Sequence, residues 1–206
     1  MRQNPERRAA LLDAAIEVLA REGARGLTFR AVDVEAAVPK GTASNYFANR
    51  DELFTQVGGR FYERLAADPG AAPPGPEGPR DRRRMAAVMR AMVDRITEFR
   101  SGYLALLELR LEAVRRPELR AVLTRAIRAD IDANVDSHLA SGFPGDATTV
   151  VSLHLALNWL ITERLTLPGV FSQEQADAIV DELVDRLVPP AAADGTGPAP
   201  GAVPPA

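Results

Sequence analysis

Apolar side chains recur along this chain at i, i+3, i+4 and i+7 almost throughout, and β-branched runs bounded by hairpin signals are missing. The pattern predicts helices. Leu12, Ala15, Ile16 and Leu19 form the first stripe, with Asn4 as N-cap, Pro5 at the first helical position and a stop near Gly23. Thr28 caps a second helix running to about Ala37, and a very short third follows Gly41. Asn49 and Glu52 have capping-box spacing for a fourth, about 50–67. Further helices are expected at about 81–100, 103–115, 118–140, 146–166 and 173–188, with Pro117 opening one and Ser172 with Gln175 capping the last. The expected fold is all-α: a three-helix head over residues 1–50, a linking helix and a helical body over 81–188.

Two segments break the period. Residues 68–80, DPGAAPPGPEGPR, read as an exposed connector, and residues 189–206 have almost nothing to bury and are expected to form a disordered tail.

The stretch Thr28 to Phe47 has the size of a helix-turn-helix, interrupted by Pro39-Lys40-Gly41. Val32, Ala36 and Val38 supply small apolar surface, and Phe47 anchors the second helix. Lys40, Thr42, Ser44, Asn45 and Tyr46 then crowd one helix N-terminus with donors. That end, with outward N–H groups, is expected to favour phosphate. Lys40, Asn45, Tyr46 and, at the next helix start, Arg50 suit phosphate oxygens. Thr42, Ser44, Lys40 and Arg30 are candidates for reading base edges. A plain three-helix packing unit is the alternative. Lys40 is the only lysine among 25 basic residues, which the chain's general preference for arginine also explains.

Residues 23–54, GARGLTFRAVDVEAAVPKGTASNYFANRDELF, resemble the TetR family of transcriptional repressors. The resemblance rests on Gly26-Leu27-Thr28, on Lys40-Gly41-Thr42 opening the recognition helix, on Tyr46-Phe47 closing it, and on Arg50 and Asp51. Pro39 and Ser44 depart from the usual pattern. The resemblance implies DNA contacts from Thr28, Arg30, Lys40, Gly41, Thr42, Ser44, Asn45, Tyr46 and Arg50. It also implies a body that binds a small effector, dimerises through its last two helices and releases a double-stranded operator when the effector binds.

The body's residues add their own clues. Residues 146–166 are apolar on most faces, more than an edge helix needs, and a second subunit would account for the excess. Ile179, Val180, Leu183, Val184, Leu187 and Val188 give the last helix a stripe for a bundle. His154 and Asn158 share a face beside Trp159. Tyr103, Leu107, Glu108 and Arg110 punctuate another helix, and Met85, Met89 and Met92 line the one before it. Met89, Met92, Tyr103, Leu107, Arg110, His154, Asn158 and Trp159 are the candidates for an effector pocket suited to a largely apolar molecule. Each methionine is equally readable as core filling, His154 as a satisfied core or interface histidine, and Trp159 as core, pocket or interface.

Composition narrows the classes. The net charge is −3, and residues 1–60 hold nine basic against eight acidic residues, so charge points only weakly to a DNA-facing head. Cysteine is absent, which excludes disulfides, thiolate metal sites and cysteine nucleophiles. No P-loop, dinucleotide glycine fingerprint or zinc-binding His-Glu spacing occurs, so neither enzyme, metal nor cofactor is expected. The longest uncharged helical run, Ala147–Thr162, is sixteen residues, short of a membrane span, and no signal-peptide core opens the chain. A cytoplasmic regulator is expected. A helical dimeric interaction module without DNA binding is the rival.

Overall fold

Most helix starts are marked by a side chain that supplies the hydrogen bonds the first turn lacks. The computed structural model describes residues 4–66 and 78–190. Asn4 Oδ1 accepts from the N–H groups of Glu6 (2.9 Å) and Arg7 (3.3 Å) and opens α1 (Pro5–Gly26). Thr28 Oγ1 accepts from Ala31 N–H at 3.1 Å and opens α2 (Phe29–Glu35). After the turn come α3 (Thr42–Tyr46) and α4 (Arg50–Ala66). The body contains α5 (Arg82–Glu98), α6 (Arg100–Ala113), α7 (Pro117–Ser141), α8 (Ala147–Thr166) and α9 (Gln173–Leu187). Ser172 and Gln175 form the expected reciprocal box on α9. Asp146 and Thr149 form another on α8. No strand occurs among the described residues. No described helix is long and apolar enough to cross a membrane. Most of the expected connector and tail lies outside the described residues.

Local differences from the expected boundaries have physical causes. The box at 49–52 is half formed: Glu52 N–H donates to Asn49 Oδ1 at 2.9 Å, but the Glu52 carboxylate accepts from Ala48 N–H at 2.7 Å. α2 ends at Glu35, two residues early, because Ala37 turns left-handed (φ +50°). α5 and α6 are separated only by Phe99, so the expected gap before residue 103 is a one-residue joint. α1 breaks at Gly23 as expected, with φ +68° and ψ −176°, then makes one more turn to Gly26.

A five-residue helix cannot hold itself together in water, because too few bonds offset its nucleation. α3 is held from outside by Asp33. This carboxylate is 3% exposed and accepts from Gly41 N–H and Ala43 N–H, both at 2.7 Å. Gly41 sits at φ +91°, the left-handed conformation that lets its N–H turn toward Asp33. Thr42 N–H donates to Pro39 O at 3.1 Å. The turn's own N–H groups draw Asp33 inside.

Two apolar clusters divide the packing. In the first, Leu11, Ile16 and Leu19 of α1, Val32 of α2, Phe47, and Leu53 and Phe54 of α4 meet Leu106 and Leu109 of α6 and Leu119 and Leu123 of α7. Full burial of such a side chain is worth about 1.5–3 kcal/mol. The second cluster joins α5, α8 and α9 through Met85, Val93, Leu157, Ile161, Val180 and Val184. The last helix therefore spends much of its stripe inside its own chain.

α6 also grips the head with charge. Glu108 accepts the Ala24 N–H at 3.0 Å, just past the Gly23 break. Arg116, following α6, pairs with Asp51 of α4 and with Glu112 at 2.9 Å, its guanidinium 4.5 Å over the Phe54 ring.

Replacing Asp33 by Asn leaves one turn N–H facing an amide NH2 and removes the charge from the remaining bond. The expected loss is about 1.5–3 kcal/mol, read as a lower urea midpoint at unchanged m-value; an unmoved midpoint would contradict the pinning role. Gly23→Ala is expected to cost about 1–3 kcal/mol in the same assay, from backbone strain in a region essentially reserved for glycine. Space is not the cause, because the added Cβ would meet the Glu108 carboxylate at an ordinary 3.5 Å.

Candidate nucleic-acid interface and effector pocket

With Asp33 and Phe47 holding α3 to its support, the opposite side of the helix is left outward. Lys40, Ser44 and Asn45 are exposed there, and Thr42 is half-buried beside them. Arg30 is exposed on α2, whereas Thr28 serves as its cap. The hydroxyls are not idle. Thr42 Oγ1 donates to Pro39 O at 2.6 Å and Ser44 Oγ donates to Gly41 O at 2.9 Å. Each keeps its oxygen lone pairs outward, so both face a partner as acceptors.

One expectation for this face is corrected. The N–H groups at the start of α3 do not all point to solvent: Gly41 and Ala43 donate to Asp33, and Thr42 to Pro39. The exposed cation beside these N–H groups is the side chain of Lys40. Arg50, expected to reach a flanking phosphate, is exposed and also bonded to the head's own backbone. Its Nε donates to Leu27 O at 2.9 Å, its Nη2 donates to Ala24 O, and its guanidinium lies 5.3 Å over Phe54. Arg50 thus closes the α1–α2 corner. Tyr46 is half-buried and its ring packs on the head's core.

Sequence reasoning missed Arg8 as a further tie within the head. It donates to Gln56 at 2.8 Å and to Glu52 at 3.2 Å, and lies 5.2 Å over the Phe47 ring behind α3. An arginine in an amphipathic helix reads as solvated, and its partners stand more than forty residues away.

In the body, the structure brings several expected residues together. Tyr103, buried on α6, donates its hydroxyl to Asn158 O and Asn158 Oδ1, both at 2.9 Å. Asn158 Nδ2 donates to His154 O at 2.7 Å and Thr162 Oγ1 to Asn158 O at 2.8 Å. Met89, Met92 and Leu107 pack on the same apolar cluster as Tyr103. Trp159 stands apart, 66% exposed, as does Leu155 at 65%.

Around this cluster lie groups that had not been linked. Burial lowers the His154 pKa, with Asp130 opposing and Arg110 adding to the shift. Burial raises the Asp130 pKa, partly offset by His154. Burial likewise pushes the Tyr62 hydroxyl up to about 12, opposed by Arg110. Tyr62, Arg110, Asp130 and His154 thus form a set drawn from α4, α6, α7 and α8. Their sequence separation hid it. Glu108, one of the polar residues punctuating α6, is the clamp on Ala24.

Comparisons with known proteins agree with this layout. The family model described as "Bacterial regulatory proteins, tetR family" matches residues 11–57. The model "Tetracyclin repressor-like, C-terminal domain" matches residues 80–190. Among solved structures, a TetR-family member from Streptomyces coelicolor A3 is 28% identical, with TM-score 0.62 over 90% of this chain and 99% of that one. The multidrug binding protein EbrR complexed with ethidium is 27% identical, with TM-score 0.59 over 89% and 99%. A TetR-family structure from Rhodococcus sp., 24% identical, shares the fold at TM-score 0.68 over 90% and 100%. No curated protein matches the chain. With matched models on both sides of the connector, the second spanning more than half the chain, the protein belongs to the TetR family of bacterial regulatory proteins.

Proposed function

We propose that the protein is a ligand-responsive repressor that binds a near-palindromic operator as a homodimer and leaves it when a small effector occupies the body. The observation that carries the reading is the outward face of α3, held rigidly by a buried carboxylate while Lys40, Thr42, Ser44 and Asn45 face away from the protein. A stub of this size, with Ser44 and Asn45 exposed on it, suits the major groove.

Leu155 and Trp159, four apart on α8, support dimerisation there, since two large apolar side chains left this open form one patch that a two-fold partner would cover. Such a dimer presents two α3 helices about one DNA turn apart, roughly 34–36 Å. The effector reading rests on the Tyr103–Asn158–His154 cluster with its Met89, Met92 and Leu107 wall. EbrR, a relative of similar architecture, is a multidrug binding protein seen with ethidium and with proflavin. The effector acts by favouring a subunit arrangement in which the heads no longer match the operator, and α4 and α6 carry the change because both touch head and body.

Gel shifts on genomic fragments test the reading. A salt-sensitive, sequence-selective complex is expected; its absence would leave a dimeric module without DNA binding. Lys40→Ala is expected to weaken binding to all sequences alike and reduce the salt slope by about 1, whereas Arg30→Ala and Ser44→Ala relax base preference. Trp159→Glu is expected to shift sedimentation from dimer to monomer with the helical circular dichroism retained, and an unchanged dimer would move the interface elsewhere.

A further inference from the structure

A groove of about 420 Å³ runs between α6 and α7. Its floor is apolar, built from Ala113, Leu123, Ile127 and Ile131, and three guanidiniums, Arg110, Arg120 and Arg128, stand around it. No acidic residue lines it. Residues 120, 124, 127, 128 and 131 share one face of α7, so the helix period places two of these cations and the apolar floor on the same side.

Several arginines elsewhere have carboxylate partners. Arg8 pairs with Glu52, Arg60 with Asp13, Arg116 with Glu112 and Arg164 with Asp94. Among the described residues no ion pair is found for Arg110, Arg120 or Arg128. Three like charges around one hollow repel one another, and no side chain lining the groove relieves the repulsion. An anion would. A guanidinium fork matches a carboxylate in two parallel hydrogen bonds, and the apolar floor adds a requirement that inorganic anions do not meet. The volume lies within the range of small-molecule sites.

We propose that the groove between α6 and α7 binds a free amphipathic carboxylate, an aliphatic or aromatic acid whose head is held by Arg110, Arg120 and Arg128 while its apolar body lies on Leu123, Ile127 and Ile131. As regulation, this rests on the reading of the body as effector-responsive. Arg110 lies two residues from Glu108, which holds the Ala24 N–H, and two from Glu112, which holds Arg116 against the head. A ligand drawing Arg110 toward α7 acts on the helix that sets the head's position.

Titration calorimetry of the full chain with decanoate and with decanol is the test. Decanoate is expected to bind at least about tenfold tighter than the alcohol, a ratio equal to about 1.4 kcal/mol. The preference is expected to shrink as salt rises. The double variant Arg120→Ala, Arg128→Ala should lose it. Both positions are exposed, and circular dichroism verifies that the helices persist. Arg125→Ala, on α7 but outside the groove, should keep it. Equal affinities for acid and alcohol, an unchanged double variant, or uptake of neither ligand would overturn the site, whatever the head does on DNA. Gel shifts of the ligand-free protein report separately on the regulator reading, so its failure would leave the calorimetric result standing.

Discussion

A single buried carboxylate sets the geometry on which the DNA-facing end depends. Asp33 reaches from α2 across the turn to two N–H groups of Gly41 and Ala43. Both bonds are charge-assisted, roughly twice as strong as neutral ones, and both lie where water competes poorly. Without them a helix of five residues has little reason to form, because nucleation costs more than so few turns return. With them α3 is a fixed projection whose side chains lose little freedom on meeting a partner. The same bonds remove part of the helix-end attraction for phosphate, so Lys40 is left as the main exposed cation of the turn.

The second constraint is the double role of α6. Leu106 and Leu109 complete the head's core, while Tyr103 belongs to the α5–α8–α9 cluster. One helix is therefore packed from both ends of the molecule, with Glu108 and Arg116 adding polar contacts to α1 and α4. Side-chain interiors resist continuous deformation, so the packing of α6 couples the position of the head to that of the body.

Local chemistry was legible in the sequence; long-range chemistry was not. Thr28, Asn49 and Ser172 act on N–H groups three residues away, so spacing alone revealed them. The helical body followed from its period, and the helix-turn-helix from Lys40-Gly41-Thr42 and Tyr46-Phe47. The bracing role of Asp33 was hidden because a charged residue in an amphipathic helix is ordinarily solvated, and its partners exist only once the turn folds back. The backbone bonds of Arg50 were hidden for the same reason, their acceptors lying on the α1–α2 corner. The Tyr103–Asn158 bond spans 55 residues, beyond any spacing rule, although both residues had been singled out as polar interruptions. Arg120 and Arg128 drew no notice, since arginine on a long helix reads as surface until its neighbours are known.

The packing of Leu109, Leu119 and Leu123 into the head's cluster bears on how this protein can be re-engineered. The proline-rich stretch is an inviting cut point for grafting a foreign sensor onto this reader. A cut there separates α1–α4 from the α6 and α7 surfaces that cover them, stripping apolar cover from both pieces. Working hybrids would need their seam drawn in space, carrying α6 and the first turns of α7 along with the transplanted N-terminal unit.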